Sequence, residues 1–245
     1  MDNTPTEYDI MRHLANTYWD CQKHRIALGN RNFSGAATEQ LTNRITELAE
    51  TTENEAAKVM RAYYRKNMPP EIVEWQRTTV GIGEHLLARL LGAIGHPCIA
   101  VPYHWEGEGR NRELVADEPY RRKVSQLWSY CGHGDPNRRR RTGMSAVESA
   151  AMGNPDAKML VRLIAGSIVK SGVRRAPGVE KGEPFSPGTR VAATVLAKHY
   201  LMARERYQDR EGWSAGRQQN ASLRLVGKEM LRDLYNVALP EAAIV

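Results

Sequence analysis

Cysteine, phenylalanine and long apolar runs are what this 245-residue chain has little of, with three Cys and two Phe in all. Cys21, Cys98 and Cys131 are odd in number and match no disulfide spacing, which points to a reducing compartment. The longest apolar stretch, 159–169, is interrupted by Arg162, so no membrane span is expected. The Met-Asp-Asn-Thr start lacks a basic-then-apolar signal pattern, and a cytoplasmic protein is the expectation. No Gly-Lys-Ser or Gly-Lys-Thr closes a glycine-rich turn, and no β-branched run leads into one, which argues against nucleotide-binding folds. A Gly-x-Ser-x-Gly elbow is missing too, so hydrolytic triads are set aside. His96, Cys98, His104, Cys131 and His133 fall at Cys-x5-His and Cys-x-His spacings that suit no usual zinc pair. Neither a metal nor a cofactor is expected.

What remains is rich in Ala, Leu, Arg and Glu, so the fold class should be mainly α. The formal net charge of +7 favours a polyanionic partner, nucleic acid first.

The chain divides into three stretches. Residues 1–68 read as a helical hairpin. Tyr8, Met11, Leu14, Tyr18 and Cys21 mark one face of its first helix, and Leu41, Ile45, Leu48, Ala56, Val59 and Tyr63 form a near-heptad stripe on the second. Such a hairpin is a candidate dimerising coiled coil, so a homodimer or higher oligomer is expected. Residues 69–136 read as a helix-hairpin-helix module with an irregular insertion, and 137–245 as a basic loop and a C-terminal helical region. In the last stretch Asn154-Pro155 signals an N-cap and first helical residue, Leu160, Leu163, Ile164 and Ile168 a buried stripe, and Gly172 the stop. A further helix is expected over 189–208. The closing helix over 218–238 carries Leu223, Val226, Met230 and Leu234 on one side and Arg224, Lys228 and Arg232 on the other.

Gly81-Ile82-Gly83 precedes the apolar helical pattern 84–94. A Gly-x-Gly turn at the positive end of a helix can aim backbone N–H groups at a phosphate, with Ile82 plugging the turn into the core. Gly81, Ile82, Gly83, His85 and Arg89 are therefore candidate nucleic-acid-binding residues. Alanine at 81 and 83 is expected to weaken that binding without unfolding the protein. The run Arg138-Arg139-Arg140-Arg141 cannot share one helix face, and its self-repulsion is relieved by phosphates. Trp128 reads as core, and Trp213 and the pair Tyr63-Tyr64 as candidate base-stacking residues.

Four separated pieces resemble one family. Gly81 to Gly95, Leu127-Trp-Ser-Tyr-Cys-Gly-His-Gly-Asp-Pro136, Gly153-Asn-Pro-Asp-Ala-Lys-Met-Leu-Val-Arg162, and the closing pair 198–207 and 225–235 are similar, in that order, to the C-terminal half of the DEDD-type insertion-sequence transposases, the IS-one-ten group of bridge-RNA-guided recombinases. The resemblance implies DNA handling and a guide RNA. That family's ribonuclease-H-like domain, with its four acidic metal ligands, would precede the first residue here. Its serine nucleophile, in a Ser-Gly pair, falls where this chain has Thr142-Gly143, with Ser145 close by. The resemblance therefore makes Thr142 and Ser145 the candidate catalytic hydroxyls, and implies nucleic-acid binding more than autonomous strand transfer.

Overall fold

A computed structural model describes residues 5–31, 39–108, 113–135, 141–183, 185–186 and 188–240. The chain is mainly helical. Helices α1 (Glu7–Arg31) and α2 (Glu39–Asn67) pack against each other as the N-terminal hairpin. They are followed by α3 (Pro70–Thr78), α4 (Glu84–Ile94), α5 (Val124–Tyr130), α6 (Ala146–Ala151), α7 (Pro155–Gly172), α8 (Val195–Gln208) and α9 (Ala215–Val237). Among the described residues no helix is long and apolar enough to cross a membrane.

On α2, Ala49, Glu53, Ala57, Met60 and Tyr64 turn inward, while Ile45, Leu48 and Val59 stay exposed. Of the near-heptad stripe read from sequence, Ile45, Leu48 and Val59 thus lie outside, while Ala56 and Tyr63 pack against the edge of the core. Tyr64 is fully buried and is no stacking platform. Glu53 is held inside the hairpin by the Tyr18 hydroxyl, which donates to it over 3.0 Å, by Gln22 and by an ion pair with Arg25. Those donors outweigh desolvation and keep the Glu53 carboxyl below its ordinary range.

Helix α4 is apolar almost all round, with Leu87, Leu90, Leu91 and Ile94 buried. Each such side chain stabilises the fold by about 1.5–3 kcal/mol. It lies between α1 and α7. Its crossing with α1 is close because Gly92 has no side chain: a Cβ there would come within 2.6 Å of the Ala15 Cβ.

Helix α7 starts where the sequence says it should. The Asn154 side-chain oxygen accepts from the Asp156 and Ala157 amides, and Pro155 needs no acceptor for an N–H it lacks. Its buried face runs Ala157, Leu160, Val161, Ile164, Ala165 and Ile168, at helical spacing. Leu163, expected on that stripe, lies outside it and is exposed, because the stripe follows 157, 161, 164 and 168. Helix α9 lays Val226, Met230, Leu231 and Leu234 against α7 and α8. One hydrophobic cluster runs from Tyr8 through Leu87 and Ile164 to Ala238, so the core is continuous across the boundaries placed at 68 and 136.

The insertion after α4, expected to be irregular, holds short antiparallel ladders. Strand β1 (Ile99–Ala100) pairs with β4 (Tyr120–Arg121), and β2 (Tyr103–Glu106) with β3 (Glu113–Ala116). Buried Arg122 anchors it by donating to the carbonyls of Ile94, His96 and Ile99. A third ladder, β5 (Val173–Arg175) with β6 (Arg190–Ala192), lies between α7 and α8. Accordingly α8 begins at Val195 behind its Thr194 cap, later than the expected 189.

Candidate nucleic-acid interface

The Gly81–Gly83 turn joins α3 to α4 as a helix-hairpin-helix would, but its two glycines do different things. Gly81 has φ of +90°, and a Cβ built on it would lie 2.5 Å from the Ile168 Cα and 2.9 Å from the Ile168 nitrogen. It is a packing glycine that lets α7 approach. Alanine there strains the fold itself, which corrects the expectation that both glycines can be replaced without affecting stability. Gly83 has ordinary φ of −80°, nothing within 4 Å of a Cβ, and serves as the exposed N-cap of α4 without a capping side chain. Ile82 is buried as the plug, and its carbonyl accepts from Gln76 over 2.9 Å.

The first-turn amides of α4 have no intrahelical acceptors, as at any helix start. Glu84 already brings a carboxylate to that turn, where Arg65 pairs with it at 3.0 Å. His85 is half-buried, packed edge-on against Tyr18 at 4.6 Å. Burial, then Arg89 and Arg61, push its pKa down, so its imidazole is a neutral group here. Arg89 is buried rather than displayed: it is 8% exposed and stacked on Tyr18 and Trp19. A phosphate backbone running past the turn would not meet it.

The denser cationic surface lies elsewhere, where α7 and α9 pack. Lys158 and Arg162 sit one turn apart on α7, and Asn220, Arg224 and Lys228 at successive turns on α9. Arg162 donates to the Asn220 side chain over 2.8 Å, tying the two helices together. Arg224 donates to the carbonyls of His133 and Gly134 at 2.8 and 2.7 Å, which holds the turn after α5 against α9. Lys228 stands over the Trp128 ring at 4.1 Å, while the Trp128 indole N–H donates to the Lys228 carbonyl. Lys158, Arg162, Asn220 and Arg224 line a cleft of about 180 Å3 together with Gly132 and His133.

Asp135 is the one carboxylate lining the cleft. Among the described residues none of Lys158, Arg162, Arg224 and Lys228 has an ion-pair partner. The local field is positive. Burial first, and then Arg224, Lys158 and Lys228, push the pKa of His133 down to about 4. Lys228 is lowered by desolvation and by Arg224. Arg224 is lowered by burial, against which the Asp135 charge acts, so a further anion in this cleft would offset the cost of burying these cations.

Arg138, Arg139 and Arg140 lie outside the described residues. Arg141, where description resumes, is exposed. Thr142 is exposed as well. Ser145 is the N-cap of α6, in a reciprocal capping box: its hydroxyl donates to Glu148 at 2.8 Å and accepts from the Glu148 amide at 3.2 Å. The Ser145 backbone N–H, and then its hydroxyl, donate to the Glu148 carboxylate and lower its pKa. The structure thus gives Ser145 a capping partner. Among the described residues no group of three His, Cys, Asp or Glu has metal-ligand geometry.

Trp128 packs against the core, as read from sequence. Trp213, in the turn between α8 and α9, is flanked by guanidinium groups, with Arg210 at 4.8 Å and Arg217 at 4.5 Å from its ring. Sequence patterning places Arg224 and Lys228 on the outer face of the last helix, but shows Arg162 only as a break in an apolar run and does not single out Lys158. Their four-residue spacing is the available signal; that they face α9 is not in it. No family model, no curated protein and no solved structure matches this chain.

Proposed function

We propose that this protein binds nucleic acid, DNA in the first place, across the groove between α7 and α9. The observation that carries the reading is a set of four cations where α7 and α9 pack: Lys158, Arg162 and Arg224 line one cleft, Lys228 stands one turn beyond Arg224, and none of the four has an ion-pair partner among the described residues. Their chemistry suits phosphates on a polymer, because each neutralised phosphate releases condensed counterions. Gly83 and the first turn of α4 supply a second, weaker contact, and the arginine run ending at Arg141 adds charge. The resemblance to the DNA-handling half of an IS-one-ten transposase supports the same role. Structured RNA, which that resemblance also implies, is the alternative ligand.

The test is binding to labelled double-stranded DNA, single-stranded DNA and structured RNA across a salt series. Four phosphate contacts give a slope of log affinity against log salt of about −3.6, or roughly a hundredfold loss between 50 and 200 mM salt. The double variant Lys158→Ala/Arg162→Ala should flatten that slope by about 1.8 units while keeping the helical circular-dichroism spectrum of the wild type. No binding by the wild type at low salt, or an unchanged slope in the variant, would overturn the proposal.

A further inference from the structure

Among the described residues three arginines are buried, and their guanidinium groups are treated differently. Arg122, 5% exposed, directs its donors at three backbone carbonyls. Arg204 stands over the Phe185 ring and donates to the Ala215 carbonyl. Arg89, 8% exposed, has no hydrogen-bond acceptor and no ion-pair partner among the described residues. Its guanidinium carbon lies over two aromatic faces, 4.9 Å from the Tyr18 centroid and 5.1 Å from that of Trp19. Such stacking returns up to about 2 kcal/mol. Burial still outweighs the Tyr18, Asp156 and Glu53 charges and lowers the pKa of Arg89.

Beside Trp19 and Arg89 is a cleft of about 260 Å3 between α1, α4 and the start of α7. Arg12, Asn16, Tyr130 and Asp156 line it too. Arg12 donates from Nε to the Gly92 carbonyl and from one terminal nitrogen towards Asp9 at 3.5 Å; its other terminal nitrogen makes no hydrogen bond among the described residues. Asp156 is the one lining carboxylate, an exposed residue of the first turn of α7. The space would hold roughly eight waters, more than a bare oxyanion needs.

We infer that this cleft binds the phosphoryl group of a phosphate monoester, gripped by the guanidinium of Arg89, with Arg12 and Asn16 at the mouth and the attached organic group against Trp19 and Tyr130. A planar five-donor fork, stacked and therefore preoriented, matches two phosphate oxygens at once. The ligand supplies Arg89 with hydrogen-bond acceptors, of which it has none among the described residues, and adds to the negative charge that Asp156 and Glu53 bring only from a distance. The site does not rest on the nucleic-acid reading. Asp156, Met159 and Leu160 face it from one side of α7, whereas Lys158 and Arg162 project from the opposite side.

Calorimetric titration with inorganic phosphate, with adenosine monophosphate, and with a hexanucleotide bearing either a 5′-phosphate or a 5′-hydroxyl tests it. Wild-type protein should bind inorganic phosphate saturably. Arg89→Met should weaken that binding by about tenfold or more. Asn16→Glu, an exposed change that leaves the core alone, should weaken it comparably, and Asp156→Asn should tighten it several-fold. Lys158→Ala/Arg162→Ala should leave it unchanged, which separates this site from the groove. Preference for the 5′-phosphorylated strand would assign a strand end, and preference for the mononucleotide a free monoester. Absence of phosphate and monoester binding at millimolar concentration, or equal binding by wild type and Asn16→Glu, would overturn the inference.

Discussion

Replacing Gly81 with alanine puts a methyl group where α7 already is. The added Cβ would stand 2.5 Å from the Ile168 Cα, against the 3.5–4.0 Å or so at which carbon atoms pack. The obstacle is helix backbone, which cannot rotate away as a side-chain tip can. The φ of +90° at Gly81 adds its own penalty for an L-residue. Overpacking of this kind costs about 1–3 kcal/mol, and a left-handed backbone about 1–2 kcal/mol more. The sum, about 2–5 kcal/mol, corresponds in a chain of this length to a melting temperature lower by roughly 5–15 °C. Gly83→Ala is the internal control: it sits two residues away, at φ of −80° with open space around it, and should cost no more than about 1 kcal/mol. Thermal unfolding followed by circular dichroism reads both. Equal melting temperatures for wild type and Gly81→Ala, or equal losses in the two variants, would refute the claim that the first glycine is there for α7 and not for a ligand.

Gly83→Asp should cap α4 and hold or raise stability, yet weaken DNA binding by setting a carboxylate at the first-turn amides; binding equal to wild type would remove that turn from the interface. Arg122→Met should strand the carbonyls of Ile94, His96 and Ile99 and lower stability by about 3 kcal/mol or more, measurable as a shifted urea midpoint. Acid should destabilise the fold through His96 and His133, both held at about 4 by burial and neighbouring cations. Their folded pKa values lie below the ordinary 6.5, so the unfolded chain binds more protons, and stability falls as pH drops from about 6.5 to 4, by about 3 kcal/mol for His133 and less for the more exposed His96. Urea midpoints at pH 7 and pH 5 check it, and His133→Gln should flatten the dependence. Asn154→Ala should cost about 1 kcal/mol by uncapping α7, read from the same denaturation curves.

Much of the fold is legible in the sequence. The α7 boundaries follow from Asn154, Pro155 and Gly172, and the α4 stripe from its leucines, because capping and helical periodicity are local properties. Where the pattern falls short, a distant partner decides. Ladders β1–β4 and β5–β6 are two and three residues per strand, too short to leave a periodicity, and exist because their partners are brought alongside. On α2 two stripes compete for the inside, and the one carrying Met60 and Tyr64 faces α1, leaving Leu48 out.

The candidate site divides the same way. Composition and charge point to a polyanion, and the Gly-x-Gly turn with its buried Ile82 is readable as a unit. Whether Arg89 meets solvent, which face Gly81 turns to α7, and that Lys158 and Arg162 stand opposite Arg224 and Lys228 are relations between residues far apart in the chain. The sequence by itself determined the long helices, the cap of α7 and the excess of positive charge, since each depends on neighbours within a turn or two. Only the tertiary structure decided which cations share a cleft, which arginine is shut in without an acceptor, and which glycine is a contact rather than a cradle, because those follow from how helices distant in sequence cross.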